Sequence, residues 1–235
     1  MLLTDDHLRD RLEVFADRAE AGRALAKLLH AWRGTSALVL AIPSGGVPVG
    51  TALVGELGLD LDVAPVSKVL CPWTTEAGFG AVALDGTEWI DADLRERHHL
   101  TDAQVAAALA QAREKVQRRV RRFRGARPLA LASRAVILVD DGIAGGATMR
   151  TAISAIRKAG ASELVVAAPT AHEATMQVLE PLVDVLAIAN VRGGRSFAVA
   201  DAYRNWSDVT EEEAWAALSR RQLPTSQAGT PQYGR

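Results

Sequence analysis

A chain of 235 residues with 49% hydrophobic and 23% charged side chains suits one α/β domain with embellishments, or at most two small domains, and is too apolar to be disordered throughout. Lys and Arg number 27 against 28 Asp and Glu, a formal net charge of −1, and the one cysteine, Cys71, excludes an internal disulfide. The opening Met1-Leu2-Leu3-Thr4-Asp5-Asp6 is acidic, unlike a secretory signal, and no apolar run approaches a bilayer's width, so a cytoplasmic protein with no membrane contact is expected.

Apolar runs alternate with helical patterns, which predicts βαβ units and a mainly parallel sheet with helices on both faces. Residues 17–32 read as a helix, with Ala21, Leu25, Leu28 and Leu29 on one side. Ala37–Ile42 is a continuous apolar strand that ends at Pro43-Ser44-Gly45-Gly46. Pro48 suits the first position of the next helix, and Gly58 stops it. Asp62–Val66 reads as a second strand, Cys71–Gly80 as a loop, and Ala81–Leu84 as a strand that turns at Asp85-Gly86 into Glu88-Trp89-Ile90. Thr101 and Gln104 match a capping box and open the longest helix, with Val105, Leu109, Val116, Val120 and Phe123 on its apolar face. Ala135–Val139 is the clearest strand; a helix from about Met149 to Lys158 and strands at Leu164–Ala168 and Val183–Ala189 follow. Thr210 and Glu213 repeat the capping pattern for a late helix through Leu218. Pro, Ser, Gly, Gln and Thr dominate from Leu223 onward, so residues 1–222 are expected to form one domain and 223–235 a flexible tail.

The strongest feature joins the strand Ala135–Val139 to Asp140-Asp141-Gly142-Ile143-Ala144-Gly145-Gly146-Ala147-Thr148 and a helix. Two carboxylates stand at the strand's carboxyl end, the edge where open α/β sheets bind ligands. A turn of small residues then enters a helix N-terminus, where successive backbone N–H groups suit a phosphate, and Thr148 adds a hydroxyl. Carboxylates would repel the phosphate itself, but an ionised Asp accepts strong hydrogen bonds from sugar hydroxyls. The pattern therefore asks for a ribose 5-phosphate. The bland alternative is that Asp140 and Asp141 merely end a strand and cap a turn. No Lys-Ser or Lys-Thr follows the glycines, so a P-loop is excluded, and their spacing is not a dinucleotide fingerprint.

Val139–Thr148 resembles the 5-phosphoribosyl 1-diphosphate (PRPP) motif of type I phosphoribosyltransferases, and the order of elements from Ala37 to about Ala189 is similar to that fold. The resemblance implies a mainly parallel sheet flanked by helices, with a small hood from the N- and C-terminal segments. It implies transfer of the 5-phosphoribosyl group from PRPP to a nitrogenous acceptor, with Mg²⁺ bound mainly through PRPP. Asp140 and Asp141 would be the catalytic pair, and residues 140–148 the PRPP site. Gly145 stands where the family has Thr or Ser, so one phosphate contact is missing. Ser44-Gly45-Gly46 would hold pyrophosphate, with Ser44 where a basic residue is usual and Lys68 as the substitute charge. A plain strand-to-helix turn, and a solvated lysine, are the alternatives. Cys71–Gly80 would be the mobile lid. Ala144 replaces the Asp that hypoxanthine-guanine enzymes carry three positions after the second acid, which argues against a 6-oxopurine acceptor. Phe197, Tyr203 and Trp206 fall where relatives build the hood over a base, and either stack on the acceptor or pack the hood's own core. Phe15-Ala16-Asp17-Arg18 and Ala21-Gly22 further resemble the family's uncharacterised members.

Arg113, Lys115, Arg118, Arg119, Arg121, Arg122, Arg124 and Arg127 crowd the end of the long helix. They read as the solvated face of an amphipathic helix, with a nucleic-acid surface as the alternative. The rival function is accordingly a non-catalytic sensor of PRPP or a nucleotide that binds nucleic acid. No side-chain cluster names a metal site, and a homo-oligomer is compatible with everything above.

Overall fold

Apolar runs become interior strands wherever both of their faces can be covered, and that rule sets the architecture here. The computed structural model describes residues 1–74, 77–125, 127–129, 131 and 133–222. In chain order they form β1 (Leu2–Thr4), α1 (Arg18–Leu28), β2 (Leu38–Ala41), α2 (Gly46–Leu57), β3 (Asp60–Val63), β4 (Val66–Leu70), β5 (Gly78–Ala83), β6 (Glu88–Ile90), α3 (Ala92–Arg97), α4 (Asp102–Arg124), β7 (Ala135–Val139), α5 (Ala147–Lys158), β8 (Glu163–His172), α6 (Glu173–Leu179), β9 (Val185–Arg192) and α7 (Glu211–Gln222). The expected tail, 223–235, lies outside the described residues.

Six strands make an all-parallel sheet in the order β1-β9-β8-β7-β2-β3, and β4-β5-β6 make a separate antiparallel one. Alternate residues of each central strand face opposite ways. Val39, Ala41, Ile137 and Val139 pack with α1, α2 and α7, while Leu38, Leu40, Val136 and Leu138 pack with α5 and α6. The small sheet repeats this sandwich: Ala81 and Ala83 join the α5 side, and Val82, Val69 and Phe79 pack on α4 through Val105, Ala112 and Val116.

The chain departs from β2 toward β3 in one direction and, after the β4–α4 excursion, reaches β7 on the other side of β2. The carboxyl ends of β2 and β7 therefore flank a topological switch point, where a crevice opens in folds of this kind.

Several expectations need correction. Asp62–Val66 is not one strand. β3 ends at Val63, Pro65 cannot donate to a ladder, and β4 starts a different sheet. Alternating Asp60 and Asp62 mark β3 as an edge, paired to Arg134 at 3.0 Å and Arg124 at 2.6 Å. Pro48 is the third helical residue, not the first, which is harmless because the first-turn N–H groups have no intrahelical partner. The Cys71–Gly80 loop is shorter than expected, because β5 begins at Gly78. Residues 17–32 form α1 and then a 3₁₀ turn at His30–Trp32. Both capping boxes form: Gln104 N–H donates to Thr101 Oγ1 at 3.3 Å, and Glu213 N–H to Thr210 Oγ1 at 3.1 Å.

Candidate active site at the carboxyl ends of β2 and β7

β7 is buried on both faces and delivers its next residue, Asp140, to the carboxyl edge of the sheet. Asp140 Oδ1 accepts the N–H of Asp141 at 2.9 Å, which turns the chain sharply. Burial pushes the Asp140 carboxyl well above the usual carboxylate range, and the charge of Asp141 adds to this. The Asp141 N–H and the more distant Lys68 ammonium oppose it. Asp141 is held differently. Arg18 Nε donates to its Oδ2 at 2.8 Å, and the Tyr203 hydroxyl donates to its backbone carbonyl at 2.6 Å. Burial, and then the Asp141 charge, drive the Tyr203 phenol up, so it remains a donor at any physiological pH.

The loop after β2 packs directly on this pair. A Cβ on Gly45 would lie 2.0 Å from Asp141 Oδ2, and one on Gly46 would lie 2.8 Å from Val139 O. Only glycine fits either place. The Gly46 N–H already donates to Ile42 O at 3.0 Å, so Gly46 serves close approach rather than anion binding. Ser44 is half-buried, and its carbonyl accepts the Val47 N–H at 3.1 Å. Arg119 reaches across from α4, with Nη1 3.3 Å from Pro43 O and 3.1 Å from Val66 O while Nε pairs with Glu211 of α7 at 2.8 Å.

Loop 142–146 is anchored on its far side. The Ile143 N–H donates to Thr170 O at 2.9 Å, the His172 N–H donates to Ile143 O at 3.0 Å, and the Thr175 hydroxyl donates to Ala144 O. A Cβ on Gly142 would strike Val199 at 2.3 Å. Gly146 adopts the left-handed conformation, φ 77°, and swings the chain into α5, whose first-turn N–H groups receive no side-chain cap. Gly145 has open space around it.

Lys68 projects from β4 as an exposed cation, close enough to Asp140 to favour its ionised form. Lys115 stands one turn before Arg119 on α4, hence on the same face. Burial lowers the Lys115 ammonium first, and the Arg119, Arg118 and Lys68 charges lower it further against the pull of Glu211. This cationic flank borders the Pro43–Gly46 loop.

Of the three aromatic candidates, two reach the site. Tyr203 is buried against Phe15, and Trp206 lies under the Arg18 guanidinium at 3.9 Å. Phe197 packs edge-on against His172 and beneath Arg192 instead. Backbone bonds pair the segment around Phe15 with that around Tyr203, among them Phe15 N–H to Ala202 O at 3.0 Å and Arg204 N–H to Phe15 O at 2.8 Å.

Sequence reasoning overlooked Arg18, Lys115 and Arg119 as site residues. Arg18 did leave a signal. It is the first helical residue after the Asp17 cap, where the helix dipole disfavours a cation unless a carboxylate awaits it. The arginine stripe is the solvated face expected over most of its length, since Arg113, Lys115, Arg118, Arg121, Arg122 and Arg127 are exposed, but Arg119 and Arg124 turn inward. Arg124 is buried on Asp62, Arg119 holds Glu211, Arg122 holds Glu212 and Arg113 holds Glu88, so half of the stripe binds the protein to itself.

A parallel sheet with an acid pair and a helix N-terminus at its switch point defines a class of sugar-phosphate-binding α/β proteins. Within that class, a family model described as "Phosphoribosyl transferase domain" matches residues 13–192, and the chain belongs to this family. A protein known from two strains of Mycobacterium tuberculosis, named "Putative phosphoribosyl transferase", is 34% identical over 219 residues. That alignment covers 93% of this chain and 49% of the relative, so the chain spans about half the length of the curated relatives it matches. The crystal structure of TT1426 from Thermus thermophilus superposes with a TM-score of 0.68 at 31% identity, over 88% of this chain and 98% of that one. The fold is that of type I phosphoribosyltransferases, and no described helix is long and apolar enough to cross a membrane.

Proposed function

We propose that the protein transfers the 5-phosphoribosyl group of PRPP to a nitrogenous acceptor and releases pyrophosphate. The observation that carries this reading is the gathering of Asp140, Asp141, the N-terminus of α5 and the Lys68–Lys115 flank at the carboxyl edge of β2 and β7. Each part suits a different part of PRPP: amides for the 5-phosphate, carboxyls for the vicinal diol, cations for the diphosphate.

The acceptor nitrogen would form its bond to ribose C1 as the bond from C1 to the diphosphate oxygen breaks, through a state with positive charge on the ring. Positioning and electrostatics supply most of such a barrier reduction. Asp140, whose burial favours the neutral form, would meet one hydroxyl of the diol. Asp141, whose Oδ2 is taken by Arg18, would present Oδ1 to the other hydroxyl. The negative charge of Asp141 favours the developing ring cation. Lys68 and Lys115 offset charge gathering on the departing diphosphate. No group of three or more His, Cys, Asp or Glu among the described residues forms a metal cage, and this donor set fits a Mg²⁺ ion that takes most of its ligands from diphosphate and water. Such an ion would neutralise the leaving group. Trp206 and Tyr203 are the aromatic groups beside the acid pair where a planar acceptor would approach.

The regulator alternative is the second reading; it draws less support from Arg119 and Arg124, which are turned onto Glu211 and Asp62 within the chain. The test is PRPP binding by calorimetry together with pyrophosphate release against a panel of bases. Asp140→Asn combined with Asp141→Asn is expected to abolish binding while leaving the circular dichroism spectrum intact. Unchanged affinity in that variant would overturn the assignment.

A further inference from the structure

Arg18 is the most enclosed cation touching the acid pair, and the reaction above leaves it without a role. Its Nε donates to Asp141 Oδ2 at 2.8 Å, its Nη1 donates to Ser207 O at 2.8 Å, and its plane covers Trp206 at 3.9 Å. The paired side chains are only 10% and 16% exposed. One guanidinium thus links the Asp141 carboxylate to the Trp206–Ser207 segment near the other end of the described chain.

Building on the phosphoribosyl reading, we propose that Arg18 is a positioning residue: it fixes Asp141 so that Oδ1 alone meets the ribose diol, and it couples that oxygen to the Trp206–Ser207 segment. The rival role is that of an occupant which the diol must evict. Two neutral hydroxyls replace neither the charge nor the indole stacking of a guanidinium, and eviction would leave a shielded cation without its counter-ion. Arg18 therefore stays when sugar binds. Gly45 completes the constraint, because its backbone lies against the same Oδ2 and prevents the carboxylate from rotating toward the loop.

The experiment is calorimetric titration with PRPP and Mg²⁺ of the unaltered chain, Arg18→Met, Asp141→Asn and the double variant, across a pH series. Arg18→Met is expected to bind PRPP about tenfold more weakly, and to add almost nothing once Asp141 is Asn, as residues acting through one another do. The groups that act on Asp140 are Asp141, Lys68 and Tyr203, and Arg18 reaches it through Asp141. Without Arg18, Asp140 feels the Asp141 charge in full, so the pH midpoint of binding moves up by about one unit, and it returns in the double variant. A residue that only braced the fold would lower the melting temperature and leave that midpoint alone. Unchanged or tighter binding by Arg18→Met, or losses that simply add in the double variant, would overturn the proposal. Should Arg18→Met fail to fold, Arg18→Lys carries the test, because it keeps a charge and loses the two-pronged grip. About threefold weaker binding is expected there, and unchanged binding overturns the proposal. Absence of PRPP binding by the unaltered chain is a separate result and removes the phosphoribosyl reading itself.

Discussion

Asp140 costs stability at the centre of the candidate site. Its folded carboxyl titrates above the unfolded one, so its favourable contribution is complete below the ordinary carboxyl range and disappears as pH rises through the folded value. Asp140→Asn keeps an acceptor for the Asp141 N–H and removes the charge. It is expected to raise the melting temperature at pH 8 by roughly 2–4 °C, about 1 kcal/mol, and to make little difference near pH 4. Calorimetric scans at the two pH values check this, and PRPP affinity should fall in the same variant. Gly145 makes the opposite case. It has no left-handed φ and no atom within 4 Å of where a Cβ would stand, so a side chain fits. Gly145→Ser is expected to fold normally and to tighten PRPP binding roughly fivefold, one neutral hydrogen bond's worth of about 1 kcal/mol. Titration of PRPP into that variant decides it. These residue-level expectations were legible because the motif from Asp140 to Thr148 is contiguous. Arg18 was not, since its partner is 123 positions away.

Elements were readable in proportion to how much of their periodicity lay on one surface. β7 matched its apolar run residue for residue, and α4 declared itself through its capping box and stripe. β1 was invisible: three residues paired only to β9 carry no pattern. The division of β3 from β4 was equally hidden, because a run interrupted by Pro65 reads as one strand until its two halves are assigned to different sheets. α4 does more than cover the small sheet. Arg119 ties it to α7 and to the carbonyls of Pro43 and Val66, so the helix and the Pro43–Gly46 loop share one support. Arg119→Met would leave Glu211 partly buried without its cation. It is expected to destabilise by about 2 kcal/mol in urea unfolding. It should also weaken pyrophosphate binding, which an inhibition or titration measurement would detect.

On the scale of the whole molecule, the candidate site is assembled by topology. Placing β2 beside β7 brings Gly45 and Gly46 against Asp140 and Asp141, and the excursion between them returns Lys68 and Lys115 to the same sheet edge. Local patterns reveal strands and caps, but not which strand lies next to which, so the cationic flank could be guessed only at Lys68. Lys68→Ala and Lys115→Ala are each expected to weaken pyrophosphate binding about threefold to tenfold at low salt. The effect should shrink as ionic strength rises, as for any partly exposed charge. Titrations at two salt concentrations would check both variants.

The missing side chain at Gly45 has a consequence that reaches beyond its own position. The strap that would hold the leaving group and the acid that would hold the sugar occupy each other's space, so neither can be resized alone. Even Gly45→Ala, one methyl group, would shift both grips together. A lineage that reshapes either segment must accommodate the other in the same step.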